Sequence, residues 1–315
     1  MTTLATQAMA TVKSAYSHSS QQAQDTHWRT YLMFSVAHHL SQPPDLQQLL
    51  CFLQYLHNNK LSPGVIANYL SSVKVKANTL RWPLSVFHHP FIQRFFKSIK
   101  VNGQFVPKHK GFFDLPTLKA ISQTCRILDD PILYRAVFLL AFFGFLRVSN
   151  IAPHSVSAFS PCRHLLRKDV IFAPPGAHVL IKWAKNMQEA RKYKFVQIPS
   201  MKDHSICPVT ALKNLLKDRN LAQDKPLFTT LQLQPLIDTK IRQSLTKVLT
   251  HLNIPSQGHT FHAFRRSGAI VAFDLGVHLD QVKAHGNWNS DAILTYLRSA
   301  PSAPPAVARA FQALP

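Results

Sequence analysis

GHTFHAFRRSGAIVAFDLGVHLDQVKAHGNWNSDAILTYLR, residues 258–298, is the most informative stretch of the 315-residue chain. Its apolar spacing predicts three short helices. His262 and Arg265 stand three apart near the start of the first helix, so their side chains share one face. Trp288 is predicted to begin the last helix, with Tyr296 about two turns further on. Both aromatic residues can be ordinary core residues, so their interpretation depends on the rest of the chain.

The chain is strongly basic. Its 36 Lys and Arg against 14 Asp and Glu leave a formal net charge of +22. A field of this size favours a polyanionic partner, most simply nucleic acid. Ribosomal and membrane-surface proteins share this property, so charge alone does not choose among the three.

Several function classes are disfavoured by composition. The longest apolar run, residues 136–146, is shorter than the roughly 20 residues of a membrane-spanning helix and predicts a buried core helix, with no membrane partner. The N-terminus lacks the apolar stretch of a signal peptide. Seventeen histidines occur without HExxH or paired CxxC spacing, so no metal or other cofactor is expected. Four widely spaced cysteines predict buried thiols of a reducing compartment: Cys51, Cys125, Cys162 and Cys207.

The pattern along the chain predicts two domains. Residues 1–100 read as all-helical, with Asp45 and Ser62 as helix caps. Residues 101–111 are polar and aperiodic and predict a linker, and residues 112–315 form the second domain. Basic helix faces are usually just solvated, but these are almost free of acidic partners, which favours contact with DNA phosphates. The candidate DNA-binding residues are Lys74, Lys76, Lys97, Lys100, Lys108 and Lys110.

The second domain predicts a mainly α fold with a small antiparallel β-sheet. Helix Pro131–Leu146 overlaps the motif GFLRVSN at 144–150, whose lone Arg147 must find a partner or reach a cleft. Three short β-branched and aromatic runs predict the sheet: Asp169–Ala173, His178–Trp183 and Tyr193–Ile198. Basic residues near the loop between the last two strands are candidates for chemistry, or edge residues that protect a strand from aggregation: Lys182, Lys185, Arg191, Lys192 and Lys194.

Five motifs of the chain resemble those of the tyrosine recombinase (phage-integrase-like) family and follow one another in the same order. The family's first arginine lies in a motif close to G-L-R-x-S-E-L, which Arg147 matches, and its hairpin lysine matches Lys185 in IKWAKNMQ. The His-x-x-Arg box matches HAFR at 262–265. The family's His/Trp residue falls at Trp288, and its nucleophile at Tyr296.

The resemblance covers roughly residues 62–296 and is closest to the eukaryotic transposon branch, the Ngaro, DIRS and Crypton-type recombinases. The W-x-S-x-A pattern of that branch matches WNSDA at 288–292. The resemblance implies an all-helical core-binding (SAM-like) DNA-binding domain followed by an α+β catalytic domain. It also implies double-stranded DNA as partner, a homotetramer in the synaptic complex, and a nuclear location, or a cytoplasmic or nucleoid one outside eukaryotes.

The implied chemistry explains the residue types. Tyr296 would attack a DNA phosphodiester to form a 3′-phosphotyrosine, without metal, ATP or another cofactor. Arg147 and Arg265 are expected to hold the non-bridging phosphate oxygens as bidentate donors. Lys185 is expected to protonate the departing 5′-oxygen.

The remaining roles leave alternatives open. His262 can hydrogen-bond the phosphate or accept the tyrosine proton. The indole N–H of Trp288 can donate to a phosphate oxygen while its ring packs. Lys182 is the alternative general acid, and His285 is the alternative to the indole. Arg266 is interpreted as a backbone contact or a surface residue.

Two positions depart from the family pattern. Asn150 stands where the family usually has an acidic residue, which removes a charge that would tune its neighbours. Many bacterial members place the His/Trp residue nine before the tyrosine, where this chain has Asn287. The expected function is a site-specific recombinase or integrase of a mobile element. The alternatives are a domesticated DNA-binding protein that no longer exchanges strands, and a topoisomerase-like relaxing enzyme.

Overall fold

The computed structural model describes residues 2–14, 17–103, 110–183, 193–289 and 293–294. The chain divides into two compact units, Met1–Pro107 and Lys108–Pro315. The division falls within the stretch 101–111 that the sequence marks as a linker, of which residues 104–109 lie outside the described part.

The described part of the first unit is helical. Its α-helices are α1 (Thr2–Ser14), α2 (His18–Ala37), α3 (Leu46–Asn58), α4 (Pro63–Thr79) and α5 (Pro90–Val101). The predicted caps are confirmed: Gln48 N–H donates to Asp45 Oδ1 at 2.8 Å, and Val65 N–H donates to Ser62 Oγ at 3.3 Å. These side chains satisfy amide groups that would otherwise lack an intrahelical partner.

Aromatic and aliphatic side chains from α2 to α5 form one core in this unit. Phe52 and Leu53 of α3 are fully buried, and Tyr31 meets Phe52 edge-on with ring centroids 5.2 Å apart. On α5 the buried Ile92 and Ile99 leave the basic side chains on the outer face, as an amphipathic helix requires.

The second unit packs its helices around α7. The helices are α6 (Leu115–Thr124), α7 (Pro131–Phe143), α8 (Val148–Ile151), α9 (Pro208–Asp218), α10 (Asp238–His251), α11 (His262–Asp274) and α12 (Leu279–Gly286). Nine residues of α7 are buried, so the apolar run is a core helix, as predicted. The helix ends at Phe143 rather than at the predicted Leu146. Gly144 caps it, and Phe145 turns the chain through a left-handed conformation with φ 48°.

A three-stranded antiparallel sheet lies against these helices in the order β1 (Val170–Ala173), β2 (Gly176–Ile181) and β3 (Lys194–Pro199). The predicted mainly helical fold with a small antiparallel sheet is therefore confirmed. Strand β2 begins two residues earlier than predicted, because Gly176 already pairs with Pro199. Ile181 pairs with Lys194, so these two residues stand where the hairpin leaves the sheet.

The prediction made for the cysteines holds for two of the four. Cys125 and Cys207 are buried, but Cys51 and Cys162 are exposed, so the prediction of four buried thiols is wrong for these two. Cys51 lies on α3 outside the buried stripe of Leu49, Phe52, Leu53 and Leu56. Among the described residues, no helix combines the length and the apolar character needed to cross a membrane.

Candidate active site

A small cavity opens where the turn after α7, strands β2 and β3, and the ends of α11 and α12 meet. Both arginines of the predicted constellation, Arg147 and Arg265, line it. Lys194 of β3 is a third cation in its wall, and none of the described lining residues is acidic. A cavity of this composition is suited to an anion with several oxygens, such as a phosphodiester.

Arg265 is held by three contacts although it is only 2% exposed. Its Nη2 donates to the Gly286 carbonyl at 2.8 Å, and its Nη1 donates to the Phe145 carbonyl. The guanidinium lies 3.9 Å from the ring centroid of Trp288, a close cation–π contact. These contacts come from α12 and from the turn after α7, so Arg265 joins the two sides of the cavity in a fixed orientation.

Trp288 packs its ring against the Arg265 guanidinium and is not among the residues that line the cavity. Its side chain is 9% exposed and belongs to a small apolar cluster with Phe145 and Ile293. A Cβ on Gly286 would come within 1.7 Å of the indole, so glycine is required there for the ring to pack. Trp288 lies outside any helix, because Asn287 adopts a left-handed conformation with φ 56°. The prediction that Trp288 begins a helix is therefore wrong.

Asn287 lines the cavity, and the sequence interpretation gave it no role. The signal was available, since Asn287 stands nine before Tyr296, the spacing at which many bacterial tyrosine recombinases have His or Trp. The left-handed turn at Asn287 is followed directly by Trp288, whose ring contacts the Arg265 guanidinium.

His262 begins α11 with one side exposed to solvent. Partial burial, followed by the positive charges of Arg265, Arg266, Arg147 and Lys110, lowers the pKa of its imidazole to about 4. The ring is therefore neutral at pH 7 and can both accept and donate a proton. A general base in the proposed chemistry needs this state.

NMR is expected to show His262 titrating with a midpoint of about 4, against roughly 6.5 for an unperturbed imidazole. The His262→Gln variant assigns the ring resonances. The pKa of this imidazole is lower in the folded than in the unfolded state, so the unfolded state binds the proton first. The free energy of unfolding therefore falls as the pH drops from roughly 6.5 towards 4. A midpoint near 6.5 in the DNA-free protein would show that burial and the neighbouring positive charges do not lower the pKa of His262.

The two lysines considered as general acid are Lys185 and Lys182, and the structure describes only Lys182. Lys185 lies outside the described residues, as does the predicted nucleophile Tyr296. Lys182, the alternative general acid, forms a 2.5 Å ion pair with Asp169, and both side chains are nearly buried. Breaking such a pair leaves a buried charge without its partner, which typically costs about 3–5 kcal/mol, so Lys182 is a poor proton donor for a substrate.

Lys194 is neither a strand-edge guard nor a solvent-exposed residue. Its side chain is half-buried and lies on the same face of β3 as the buried Val196 and Ile198. Burial, followed by the charge of Arg265, lowers the pKa of its ammonium group. Strand alternation could have identified this residue, since a lysine in register with inward-facing apolar residues must point inward too.

Three solved structures with the same architecture are complexes with DNA. The Tn1549 transposon integrase, in complex with transposon right end DNA, gives a TM-score of 0.62 at 14% identity and covers 94% of this chain and 93% of that chain. A lambda integrase dimer bound to a COC′ core site gives 0.61 at 10% identity and covers 95% of each chain. XerH site-specific recombinase bound to palindromic difH substrate gives 0.60 at 17% identity and covers 89% of this chain and 75% of that chain.

The chain has the tyrosine recombinase fold. No protein-family model matches the chain, and no curated protein matches it by sequence. At 10–17% identity the likeness is one of fold. The role of each residue must therefore be argued from the geometry of this site.

Asn150, which departs from the tyrosine recombinase motif, lines the cavity and makes two hydrogen bonds there. It is 4% exposed; its Oδ1 accepts from the Arg147 backbone N–H at 3.0 Å, and its Nδ2 donates to the Trp183 carbonyl at 2.7 Å. The amide thus ties Arg147 to Trp183, two residues after the end of β2 and two residues before Lys185. A carboxylate can accept the first bond but cannot donate the second.

Arg266 is a structural residue of the second unit. It is 5% exposed and its Nη2 donates to the Gly111 carbonyl, so the expectation of a surface residue is wrong. The next residue, Ser267, accepts a 2.8 Å hydrogen bond from the Phe113 backbone N–H. Together they fasten the end of the linker and the residues directly after it to α11, and Lys110 of the linker contributes to the low pKa of His262.

Lys74 and Lys76 of the first unit have partners. Lys76 forms a 2.7 Å ion pair with Asp25, and Lys74 Nζ lies 2.8 Å from His88 Nε2. The expected lack of acidic partners is therefore wrong for Lys76, because the packing of α2 against α4 brings a distant carboxylate to it. Surface pairs contribute only about 0–1 kcal/mol, so a phosphate can replace Asp25. Lys97 and Lys100 are exposed on α5, and Lys108 lies outside the described residues.

Proposed function

We propose that the protein is a site-specific tyrosine recombinase that cleaves and rejoins DNA strands. The observation that carries the proposal is the cavity in which Arg147, Arg265 and Lys194 converge without an acidic lining residue among those described. The pairing of Arg265 with backbone carbonyls and an indole keeps the guanidinium in place before substrate arrives. Such preorganised donors stabilise a phosphoryl transition state without reorganisation.

The proposed reaction conserves the energy of the phosphodiester bond. The Tyr296 phenol loses its proton to His262 and attacks the phosphorus, forming a 3′-phosphotyrosine and breaking the bond to the 5′-oxygen. Lys185 donates a proton to that leaving oxygen, and the two arginines bind the non-bridging oxygens. Attack of a 5′-hydroxyl on the phosphotyrosine reverses these transfers and joins the strands.

DNA is the proposed partner for three reasons. The chain carries a net charge of +22, the related solved structures contain DNA, and exposed lysines lie on α5. The proposed assembly is a tetramer around two DNA sites. The WNSDA segment at 288–292 supports an origin in a eukaryotic mobile element, and with it a nuclear location.

The test is covalent trapping. Purified protein is incubated with nicked suicide duplexes that tile the DNA flanking its coding sequence, and products are separated on a denaturing gel. We expect a protein–DNA adduct that Tyr296→Phe abolishes. Tight binding without any adduct would favour the DNA-binding alternative. An adduct that survives Tyr296→Phe would refute the assignment of the nucleophile.

The same assay tests the general acid. Lys185→Ala is expected to slow adduct formation on an ordinary 5′-oxygen by about 10²–10⁴-fold, the usual contribution of a positioned acid, while DNA affinity stays nearly unchanged. A 5′-phosphorothiolate substrate has a leaving group that needs no proton, so it should restore the rate. Equal losses of binding and cleavage would contradict this role.

A further inference from the structure

Lys194 makes a contact that the proposed reaction does not use. Its ammonium group donates to the carbonyls of Ala284 and His285, the latter at 3.2 Å. Both belong to the last turn of α12, where carbonyl groups lack the usual intrahelical partner and carry the negative end of the helix dipole. A cation is therefore favoured at this position.

Arg265 binds the next carbonyl, that of Gly286, at 2.8 Å. Three consecutive carbonyls at the end of α12 are thus bound by two cations, one from β3 and one from α11. Directly after these carbonyls the chain makes the left-handed turn at Asn287 and places Trp288 against Arg265. Tyr296 follows eight residues later in the sequence.

We propose that Lys194 is a positioning residue that fastens the β2–β3 hairpin to the end of α12 and thereby holds the turn at Asn287 and Trp288, the last described turn before the proposed nucleophile in the sequence. This rests on the proposed recombinase function. The hairpin carries Lys185 and the α12 side leads to Tyr296, so one ammonium group links the segments that carry the proposed acid and nucleophile.

The charge of Lys194 matters as well as its length. Arg265 from α11, Arg147 before α8 and His285 of α12 line the same cavity, and no acidic residue occurs among the described lining residues. Burial and Arg265 already lower the pKa of this ammonium group. A bound phosphodiester supplies the missing negative charge, so DNA binding should stabilise the charged, fastened state.

The experiment compares Lys194→Met, which keeps length without charge, Lys194→Arg, which keeps the charge, and Lys168→Met, an exposed lysine of the same unit. Single-turnover adduct formation and DNA affinity are measured from pH 6 to pH 10. We expect Lys194→Met to slow the adduct by roughly 10²-fold at saturating DNA, the effect of misplacing reacting groups by about 1 Å, in addition to any loss of DNA affinity from the missing charge. Lys194→Arg should restore most of the rate and move the loss of activity at high pH to a higher pH.

Amide hydrogen exchange gives a readout that does not need catalysis. The Asn287 and Trp288 amides donate to the Ala284 and Lys283 carbonyls at 3.1 and 3.0 Å, so they report on the end of α12. Exchange at these amides should accelerate in Lys194→Met and stay unchanged in Lys168→Met. Unchanged exchange in Lys194→Met overturns the proposal, even in an active enzyme. The two proposals can fail separately. If exchange is faster in Lys194→Met but the wild-type protein forms no adduct, the fastening role is supported and the recombinase function is refuted.

Discussion

Replacing Arg265 with lysine is expected to reduce covalent adduct formation roughly 10²–10³-fold, although the positive charge is kept. The guanidinium binds the Phe145 and Gly286 carbonyls while its plane lies over Trp288. A lysine ammonium cannot reach two carbonyls on opposite sides and also lie flat on an indole. The phosphate would therefore meet a mobile point charge in place of a fixed planar donor.

Stability should fall in the same variant, because a buried carbonyl loses its donor. We expect a loss of about 1–2 kcal/mol in the free energy of unfolding, or roughly 2–8 °C in Tm for a unit of this size. Arg242→Lys is the matched control, since Arg242 is exposed on α10 and forms only a long 3.5 Å pair with Asp238. An Arg265→Lys enzyme that forms adduct within a few-fold of wild type would exclude Arg265 as the phosphate clamp.

Asn150→Asp is expected to damage the protein although it restores the residue type typical of the family. The amide of Asn150 donates to the Trp183 carbonyl at 2.7 Å, and an aspartate would place a carboxylate oxygen against that carbonyl oxygen in a buried site. Attraction to Arg147 opposes this repulsion, but the lost donor leaves the carbonyl unpaired. We expect a stability loss of about 1–3 kcal/mol and a slower adduct, because the tie between Arg147 and the hairpin is broken.

Thermal melts from pH 4 to pH 8, with adduct rates at neutral pH, check this prediction. A protonated carboxyl can donate to Trp183, so the stability difference from wild type should narrow as the pH falls. Asn150→Ser, whose shorter side chain withdraws the donor from the Trp183 carbonyl without adding charge, should have a milder and pH-independent deficit. Wild-type stability together with a faster adduct in Asn150→Asp would mean that Asn150 is a defect of the site and not a positioning residue.

The prediction of the fold succeeded where the signals are local. Helix periodicity, the caps at Asp45 and Ser62, and the alternation of the strands act over a few residues, and the structure reproduces all three. Errors occurred where the chain changes direction. The end of α7 and the non-helical Trp288 both depend on left-handed residues, Phe145 and Asn287, whose conformations are stabilised by packing around the cavity.

The candidate site divides in the same way. Motif spacing identified Arg147, His262 and Arg265, and the structure places the two arginines in one cavity with the histidine near them. Motif matching gave the His/Trp position to Trp288, although Asn287, at the nine-residue spacing, is the residue that lines the cavity. It also left Lys182 as an alternative general acid, and only the structure shows the buried ion pair with Asp169 that makes Lys182 a poor proton donor.

By itself, the sequence determined the helical architecture with its small sheet, the basic character, and the residue types available for phosphate chemistry. Tertiary structure alone decided how those residues are held: Arg265 on two carbonyls and an indole, Asn150 between Arg147 and Trp183, and Lys194 on the end of α12. The physical reason is that periodicity and capping act between near neighbours in the chain. The orientation of a buried cation depends instead on carbonyls and rings contributed by distant elements, which no local pattern encodes.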